Sequence, residues 1–194
     1  MKIKLLICTL IVLAISTGVP VEAARGRDPT LKDAVVLIIR HAEDAAHGDG
    51  ISPAGQARAE AYVDYFKSFT ADGKPTRLNF LFAAKDSVRS QRPRLTLEPT
   101  AKALGLKIDS EFKTREITEL VREIESLPSG KNILICWRHR EIPRLLDALG
   151  AEPKNLLPRG KWPGAVFGWL ILLRYDESGR LVESKLIKEN LPRS

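Results

Sequence analysis

Two uninterrupted apolar segments constrain the fold of this chain more than any other feature. They are Val35–Ile39, with the sequence VVLII, and Ile133–Trp137, with the sequence ILICW. Continuous aliphatic and β-branched runs of this length, without alternating polar residues, are typical of strands buried on both faces of a parallel sheet. The two segments therefore predict an α/β domain with a mostly parallel sheet.

The remaining sequence supplies helices between further strands. Residues 78–83 predict a third strand, and residues 166–175 and 181–187 predict a closing hairpin. Apolar spacing and capping residues predict four helices, at about 53–68, 92–104, 114–125 and 142–149. The segment 151–164, which contains several prolines, is expected to be a long surface loop. The predicted architecture is a three-layer sandwich, with a mostly parallel central sheet flanked by helices and a C-terminal hairpin that closes it.

The N-terminus has a composition of its own. Residues 5–15 carry no charge, follow two lysines and precede the small-residue pattern VEA at 21–23. This arrangement is typical of a cleavable secretory signal, and the apolar run is too short to span a bilayer comfortably. We expect residues 1–23 to be a signal peptide and residues 24–194 to form one domain. The protein would then be secreted or periplasmic without a stable membrane anchor, and an uncleaved amphipathic anchor is the alternative.

The charge of the chain favours anionic ligands. It has 31 basic and 24 acidic side chains, which gives a net charge of +7. We expect no nucleic acid partner, because no basic run is interleaved with aromatic residues and aromatic residues make up only 6% of the chain. The sequence does not indicate an oligomeric state.

Polar clusters follow three of the predicted strands. They are Arg40-His41, Lys85-Asp86-Ser87 and Arg138-His139-Arg140. In open α/β sheets, ligands bind beyond the carboxyl ends of the strands, so these clusters are expected to meet at one site. His41 and His139 occupy equivalent positions there, and a histidine at such a position can act as a nucleophile, a base or a metal ligand.

A metal site and a phosphate site are the two alternatives for these histidines. His41, His47 and His139 could supply three ligands to zinc. However, arginines flank two of the three, and guanidinium groups repel a dication but match the oxygens of a phosphate. We therefore expect a phosphate site, with no metal and no other cofactor.

Four segments of the chain form a recognisable series, which consists of Arg40-His41-Ala42-Glu43, the segment ISPAGQARA at 51–59, the helix at 92–106, and Ile133–Trp137 followed by His139. Over about residues 35–150 and in this order, they resemble the histidine phosphatase superfamily, also called phosphoglycerate-mutase-like. In the family pattern, the second phosphate-binding arginine stands four residues before a threonine. That spacing selects Arg92 over Arg89 and Arg94.

The resemblance implies a phosphate pocket. In it, His41 is the nucleophile, and Arg40, Arg92 and His139 hold the phosphoryl group. Arg92 begins a predicted helix, where free backbone N–H groups add to anion binding.

The chain departs from the family pattern at two places. Arg138 replaces the glycine that usually precedes the second histidine. We assign Arg138 to substrate binding, and a salt bridge to a surface carboxylate is the alternative. The resemblance also implies an acidic residue after the second helix, where Glu116 is the predicted catalytic acid although the glycine-rich context of the family is missing. Glu141 and Glu43 are the competing candidates.

These observations predict an exported, metal-independent phosphatase. It would hydrolyse a phosphate ester, on a small molecule or a phosphopeptide, through a phosphohistidine intermediate on His41. A catalytically degenerate protein of the same fold, which binds phosphate or a phosphorylated metabolite, is the first alternative. An exported metal-binding protein that uses the histidines is the second.

Overall fold

A computed structural model of the chain describes residues 31–191, so the predicted signal peptide lies outside the described residues. The strands are β1 (Val35–Arg40), β2 (Thr70–Ala71), β3 (Lys74–Pro75), β4 (Phe80–Ala83), β5 (Ile108–Asp109), β6 (Asn132–Trp137), β7 (Trp169–Tyr175) and β8 (Leu181–Lys188). The helices are α1 (Pro53–Lys67), α2 (Arg92–Leu104), α3 (Ile117–Ser126), α4 (Ile142–Ala148) and α5 (Pro153–Leu156), with a 3-10 turn at Pro158–Gly160. Within residues 31–191, no helix is both long and apolar enough to cross a membrane.

Six strands form the main sheet, in the order β5-β4-β6-β1-β7-β8. The first four are parallel to one another, whereas the hairpin of β7 and β8 adds two antiparallel strands beside β1. The pairing of β1 with β6 ends with Arg40 opposite Trp137. Because the two strands end together, His41 and Arg138 leave the sheet side by side at its carboxyl edge.

Alternate residues of the buried strands divide the core into two layers. Val36 and Ile38 of β1 lie in the cluster that includes the apolar faces of α3 and α4. Leu37 and Ile39 lie in the cluster on the other face of the sheet, with residues of α1 and α2. Helices therefore cover both faces, which confirms the predicted three-layer architecture with its mostly parallel sheet and closing hairpin.

The structure differs from the sequence prediction in three ways. The segment 151–164 is not wholly a surface loop, because it contains α5 and the 3-10 turn and buries Leu156, Leu157 and Trp162 in the core. The short strands β2, β3 and β5 were not predicted, since two residues are too few to show a strand period. The third helix begins at residue 117 rather than 114, and the residues before it form a loop at the carboxyl edge of the sheet.

Candidate active site

The polar clusters that follow the parallel strands line one cavity of about 440 Å³. Its lining residues are His41, Asp44, Arg89, Arg92, Thr114, Arg115, Arg138, His139, Arg140 and Glu141. Five of these ten side chains are arginines and two are carboxylates. The cavity is therefore strongly cationic, as a site for an anionic ligand requires.

His41 is buried at the base of the cavity, with only 4% of its surface exposed. Its Nδ1 lies 2.8 Å from the carbonyl oxygen of Ala42. Because a carbonyl can only accept a hydrogen bond, the proton sits on Nδ1 and the lone pair of Nε2 is free. Burial lowers the pKa of His41 to about 4, so the imidazole is neutral at pH 7.

Arg40 does not line the cavity and is also buried, with 2% of its surface exposed. Its guanidinium stacks over the ring of Phe167, with Cζ 3.7 Å from the ring centroid, and its Nη1 donates to the carbonyl oxygens of Gly164 and Val166. These contacts with residues 164–167 fix the plane of the guanidinium. Its Nη2 lies 3.9 Å from the carboxylate of Asp44, and its Nε has no hydrogen-bond partner within residues 31–191.

Arg92 is held at the first turn of α2. Its Nε donates to the carbonyl oxygen of Gly50 at 2.9 Å, and its Nη2 donates to that of Gly48 at 3.1 Å. The same Nε lies 2.9 Å from Oδ1 of Asp44. The loop after β1 therefore brings Arg92 to the cavity.

Asp44 lies between the groups that were predicted to bind phosphate, although sequence reasoning did not single it out. Its carboxylate is 2.9 Å from Arg92, 3.7 Å from Nδ1 of His41 and 3.9 Å from Arg40. The available signal was its place three residues after His41 in the polar cluster that follows β1. An internal carboxylate thus faces the same cations that an external anion would contact.

His139 lines the cavity from the end of β6 and is partly exposed. Its Nδ1 is buried and has no hydrogen-bond partner in the part of the chain that the structure describes. A buried nitrogen without a partner is costly, so this position favours a ligand that supplies one. Burial lowers the pKa of His139, and the charges of Arg40 and Arg140 lower it further.

Arg138 also lines the cavity, and its Nη2 donates to Oγ of Ser87 at 3.3 Å. Burial and the nearby charge of Arg92 lower its pKa. Among residues 31–191, no carboxylate lies within salt-bridge distance of Arg138. The alternative of a surface salt bridge therefore does not describe this arginine.

The structure does not bring Glu116 to the cavity, although its neighbours Thr114 and Arg115 line it. Residue 116 caps α3, and its carboxylate accepts from the backbone N–H of Lys113 at 2.8 Å and pairs with the Lys113 ammonium at 3.1 Å. Glu43 is paired with Arg58 instead of facing the cavity. Of the three carboxylates that the sequence suggested as the catalytic acid, only Glu141 lines the cavity.

Two further side chains with potential chemistry, Cys136 and His47, lie outside the lining of the cavity. Cys136 is buried in the core, and burial raises the pKa of its thiol. His47 is exposed and does not line the cavity. Within the described range, no group of three histidine, cysteine, aspartate or glutamate side chains is placed to hold a metal ion.

Two solved structures share this arrangement of strands and helices. The protein histidine phosphatase SixA, complexed with tungstate, aligns with a TM-score of 0.50 and 16% sequence identity over 77% of this chain and 95% of that chain. Phosphoglycerate mutase from Plasmodium falciparum aligns with a TM-score of 0.51 and 14% identity over 83% of this chain and 95% of that chain. The chain has the histidine phosphatase fold.

Sequence comparison adds no closer relative to this assignment, because no family model and no curated protein matches the chain. At identities below 20%, the likeness concerns the histidine phosphatase fold alone.

Proposed function

We propose that this protein is an exported, metal-independent phosphatase that hydrolyses phosphate esters through a phosphohistidine on His41. The observation that carries the proposal is the state of His41, whose imidazole is neutral at pH 7 and has a free Nε2 among cavity cations. A neutral imidazole with an accessible lone pair is the form that attacks phosphorus. The phosphatase and mutase activities of proteins with the same fold support the same reaction class.

The first step transfers the phosphoryl group to His41. Nε2 forms a bond to phosphorus, and the bond from phosphorus to the ester oxygen breaks. Arg40, Arg92 and His139 are proposed to hold the phosphoryl oxygens, because donors placed around the transferring group stabilise the charge that develops on them. The carbonyl of Ala42 stabilises the imidazolium by accepting from Nδ1–H.

The leaving oxygen needs a proton, and we assign its delivery to Glu141. Glu141 precedes α4, lies beside His139 and lines the cavity, which Glu116 does not. In the second step, Glu141 takes a proton from a water molecule while the water oxygen bonds to phosphorus and the bond from phosphorus to Nε2 of His41 breaks. The products are the alcohol and inorganic phosphate, and His41 returns to its neutral form.

Metal independence and export belong to the proposal for separate reasons. Five arginines around one cavity repel a divalent cation and attract a phosphate. SixA, which has the same fold, was solved with the oxyanion tungstate. Export rests on the signal-like sequence of residues 1–23 and places the activity in a secreted or periplasmic compartment.

Hydrolysis of p-nitrophenyl phosphate by the purified protein, with and without EDTA, tests this function. We expect EDTA to have no effect and His41→Ala to lower kcat by at least about 10³-fold, as loss of a nucleophile does. His47→Ala is the matched control, because His47 is exposed and outside the cavity, and it should keep wild-type activity. Because the pKa of His41 is about 4, the acidic limb of kcat/KM should also lie well below pH 6.5.

Two results would contradict the proposal. Loss of activity with EDTA, restored by a divalent cation, would favour a metal enzyme. Tight binding of phosphate without turnover of any ester would favour the degenerate phosphate-binding protein.

A further inference from the structure

We propose that the cavity contains a second anion-binding subsite, formed by Arg89, Arg115 and Arg138 beyond the ends of β4, β5 and β6. The physiological substrate would then be a small phosphate ester that carries a second phosphate or a carboxylate. This inference rests on the proposed function, which places the reacting phosphoryl group at His41.

The order of the strands separates the two subsites. His41 follows β1, and Arg138 follows the neighbouring strand β6. Arg89 and Arg115 come from the loops after β4 and β5, on the side of β6 away from β1. Adjacent strands lie about 4.8 Å apart, so the ends of β1 and β4 are separated by about 10 Å. A second anion held there would lie about 5–10 Å from the reacting phosphoryl group.

The loop that carries Arg115 is tied to the sheet on two sides. The backbone N–H of Lys85, just after β4, donates to the carbonyl oxygen of Phe112 at 2.7 Å. The indole N–H of the buried Trp137, at the end of β6, donates to the carbonyl oxygen of Thr114 at 3.0 Å. Arg115 is therefore held at the cavity wall by its neighbours in the loop.

The turn that carries Arg89 is held to Arg138. Ser87 and Ser90 exchange two backbone hydrogen bonds, of 3.0 and 3.1 Å, which close the turn around residue 89. Oγ of Ser87 accepts from Nη2 of Arg138 at 3.3 Å. Ser87 therefore links the turn that carries Arg89, after β4, to Arg138, after β6.

These arginines lack the carboxylates that neutralise others nearby. Arg92 is paired with Asp44, and Arg94 is paired with Asp86 and Glu98. In residues 31–191, no carboxylate lies within salt-bridge distance of the arginines at positions 89, 115, 138 and 140. Like charges around one cavity repel, and an anionic ligand removes that cost. A single phosphoryl group bound at Arg40 and Arg92 would leave the positive charges of the second subsite without a counter-anion.

A matched pair of esters tests the subsite. The probes are butane-1,4-diol bisphosphate and 4-hydroxybutyl phosphate, which differ only in the second phosphate. We expect the wild type to have a kcat/KM at least roughly 10-fold higher for the bisphosphate, from charge-assisted hydrogen bonds to the second anion. Arg115→Gln and Arg138→Gln should each reduce that ratio several-fold. Arg122→Gln, an equal loss of charge on the exposed face of α3, should leave the ratio unchanged.

Binding measured without turnover separates this inference from the proposed function. Calorimetric titration of His41→Ala with both probes should show the same preference for the bisphosphate, because the second subsite does not use the nucleophile. Titration with 5-phosphonooxypentanoate shows whether a carboxylate serves as the second anion as well as a phosphate does.

Two outcomes would overturn the second subsite. One is equal affinity for 4-hydroxybutyl phosphate, the bisphosphate and 5-phosphonooxypentanoate. The other is a preference that survives Arg115→Gln and Arg138→Gln, or that Arg122→Gln reduces equally. Hydrolysis of the bisphosphate and 4-hydroxybutyl phosphate with equal kcat/KM would support the phosphatase and contradict the subsite. Tighter binding of the bisphosphate without hydrolysis would support the subsite and contradict the phosphatase.

Discussion

The segment after β1 carries two adjacent carboxylates, Glu43 and Asp44, and each faces arginines. The arginine beside Glu43 is fully paired with carboxylates, whereas the arginines around Asp44 outnumber the carboxylates. On one side, Glu43 accepts three hydrogen bonds of 2.7–3.0 Å from Arg58 of α1, and Glu189 adds a contact of 3.4 Å. On the other side, Asp44 faces a cavity lined by five arginines and only one further carboxylate. An arginine saturated by carboxylates fixes structure, whereas arginines that outnumber the carboxylates of their cavity by five to two are available to a ligand.

The side paired with carboxylates holds the segment that carries His41 in place. Gly55, in the first turn of α1, packs against the backbone of Glu43, where a Cβ would lie 2.6 Å from the carbonyl oxygen of Glu43. That oxygen accepts from the backbone N–H of Ser52, whose hydroxyl caps the helix. The glycine of the segment ISPAGQARA is therefore required by a close approach between α1 and the segment that carries His41.

Removing one arginine from each environment should have different effects, and the largest is expected in the cavity. Arg92→Gln should lower kcat/KM for p-nitrophenyl phosphate by about 10²-fold, because it removes a charged donor to the phosphoryl group. Arg94→Gln is the matched control two residues away, in exposed ion pairs with Asp86 and Glu98, and should change kcat/KM little. Equal losses in both variants would contradict the distinction between the two environments.

Replacing the arginine that is paired with carboxylates should lower the stability of the fold. Arg58→Gln leaves the half-buried carboxylate of Glu43 without its cation, so we expect the free energy of unfolding in urea to fall by about 2–4 kcal/mol. Its effect on kcat/KM should be smaller than that of Arg92→Gln. Arg180→Gln, which breaks an exposed pair with Asp176, should stay close to the wild type. An unfolding midpoint unchanged by Arg58→Gln would show that the network does not stabilise the fold.

Glu189 makes the stability of the paired side depend on pH. Burial raises its pKa to about 8, so the folded protein keeps its proton where the unfolded chain has lost it. Stability should therefore fall as pH rises from about 4.5 towards 8. Glu189→Gln should make this decline shallower in urea unfolding measured between pH 5 and pH 8. An identical decline in the variant would contradict an uncharged Glu189.

Replacing Asp44 should have the smallest effect of these substitutions, and it should strengthen ligand binding instead of weakening it. The carboxylate of Asp44 contacts the two arginines proposed to bind phosphate, Arg40 and Arg92, so it competes with the ligand. Asp44→Asn should lower the Kd of inorganic phosphate several-fold in calorimetric titration, because it removes the repulsion between an exposed carboxylate and the phosphate. Asp64→Asn, on α1, is the control and should leave the Kd unchanged. Weaker binding in Asp44→Asn would mean that Asp44 assists the ligand instead.

Much of the site could be predicted because parallel strands end at one edge. The apolar runs at 35–39 and 133–137 fixed which residues follow the strands, and the sheet then places His41 beside Arg138 and brings His139 to the same cavity. Arg92 was selected by the arginine–threonine spacing of the family resemblance, and the sequence also predicted the helix that it begins.

The remaining features depend on contacts distant in the chain. Thr114 and Arg115 reach the cavity because Trp137 and Lys85 hold their loop, and no local pattern encodes those bonds. Glu116 turns away because α3 begins one residue after it, a boundary that apolar spacing placed three residues too early. Glu189 follows β8 and meets Arg58 of α1, 131 residues away in the chain, only in the folded protein.

Detection of the phosphorylated enzyme tests the central claim most directly. The purified protein is mixed with p-nitrophenyl phosphate, quenched in alkali, where phosphohistidine survives, and mapped by peptide mass spectrometry. The account predicts a phosphoryl group on His41 that disappears on acid treatment and is absent from His41→Ala. Turnover in the wild type with no phosphorylated residue, or with the phosphoryl group on another residue such as His139, would contradict it.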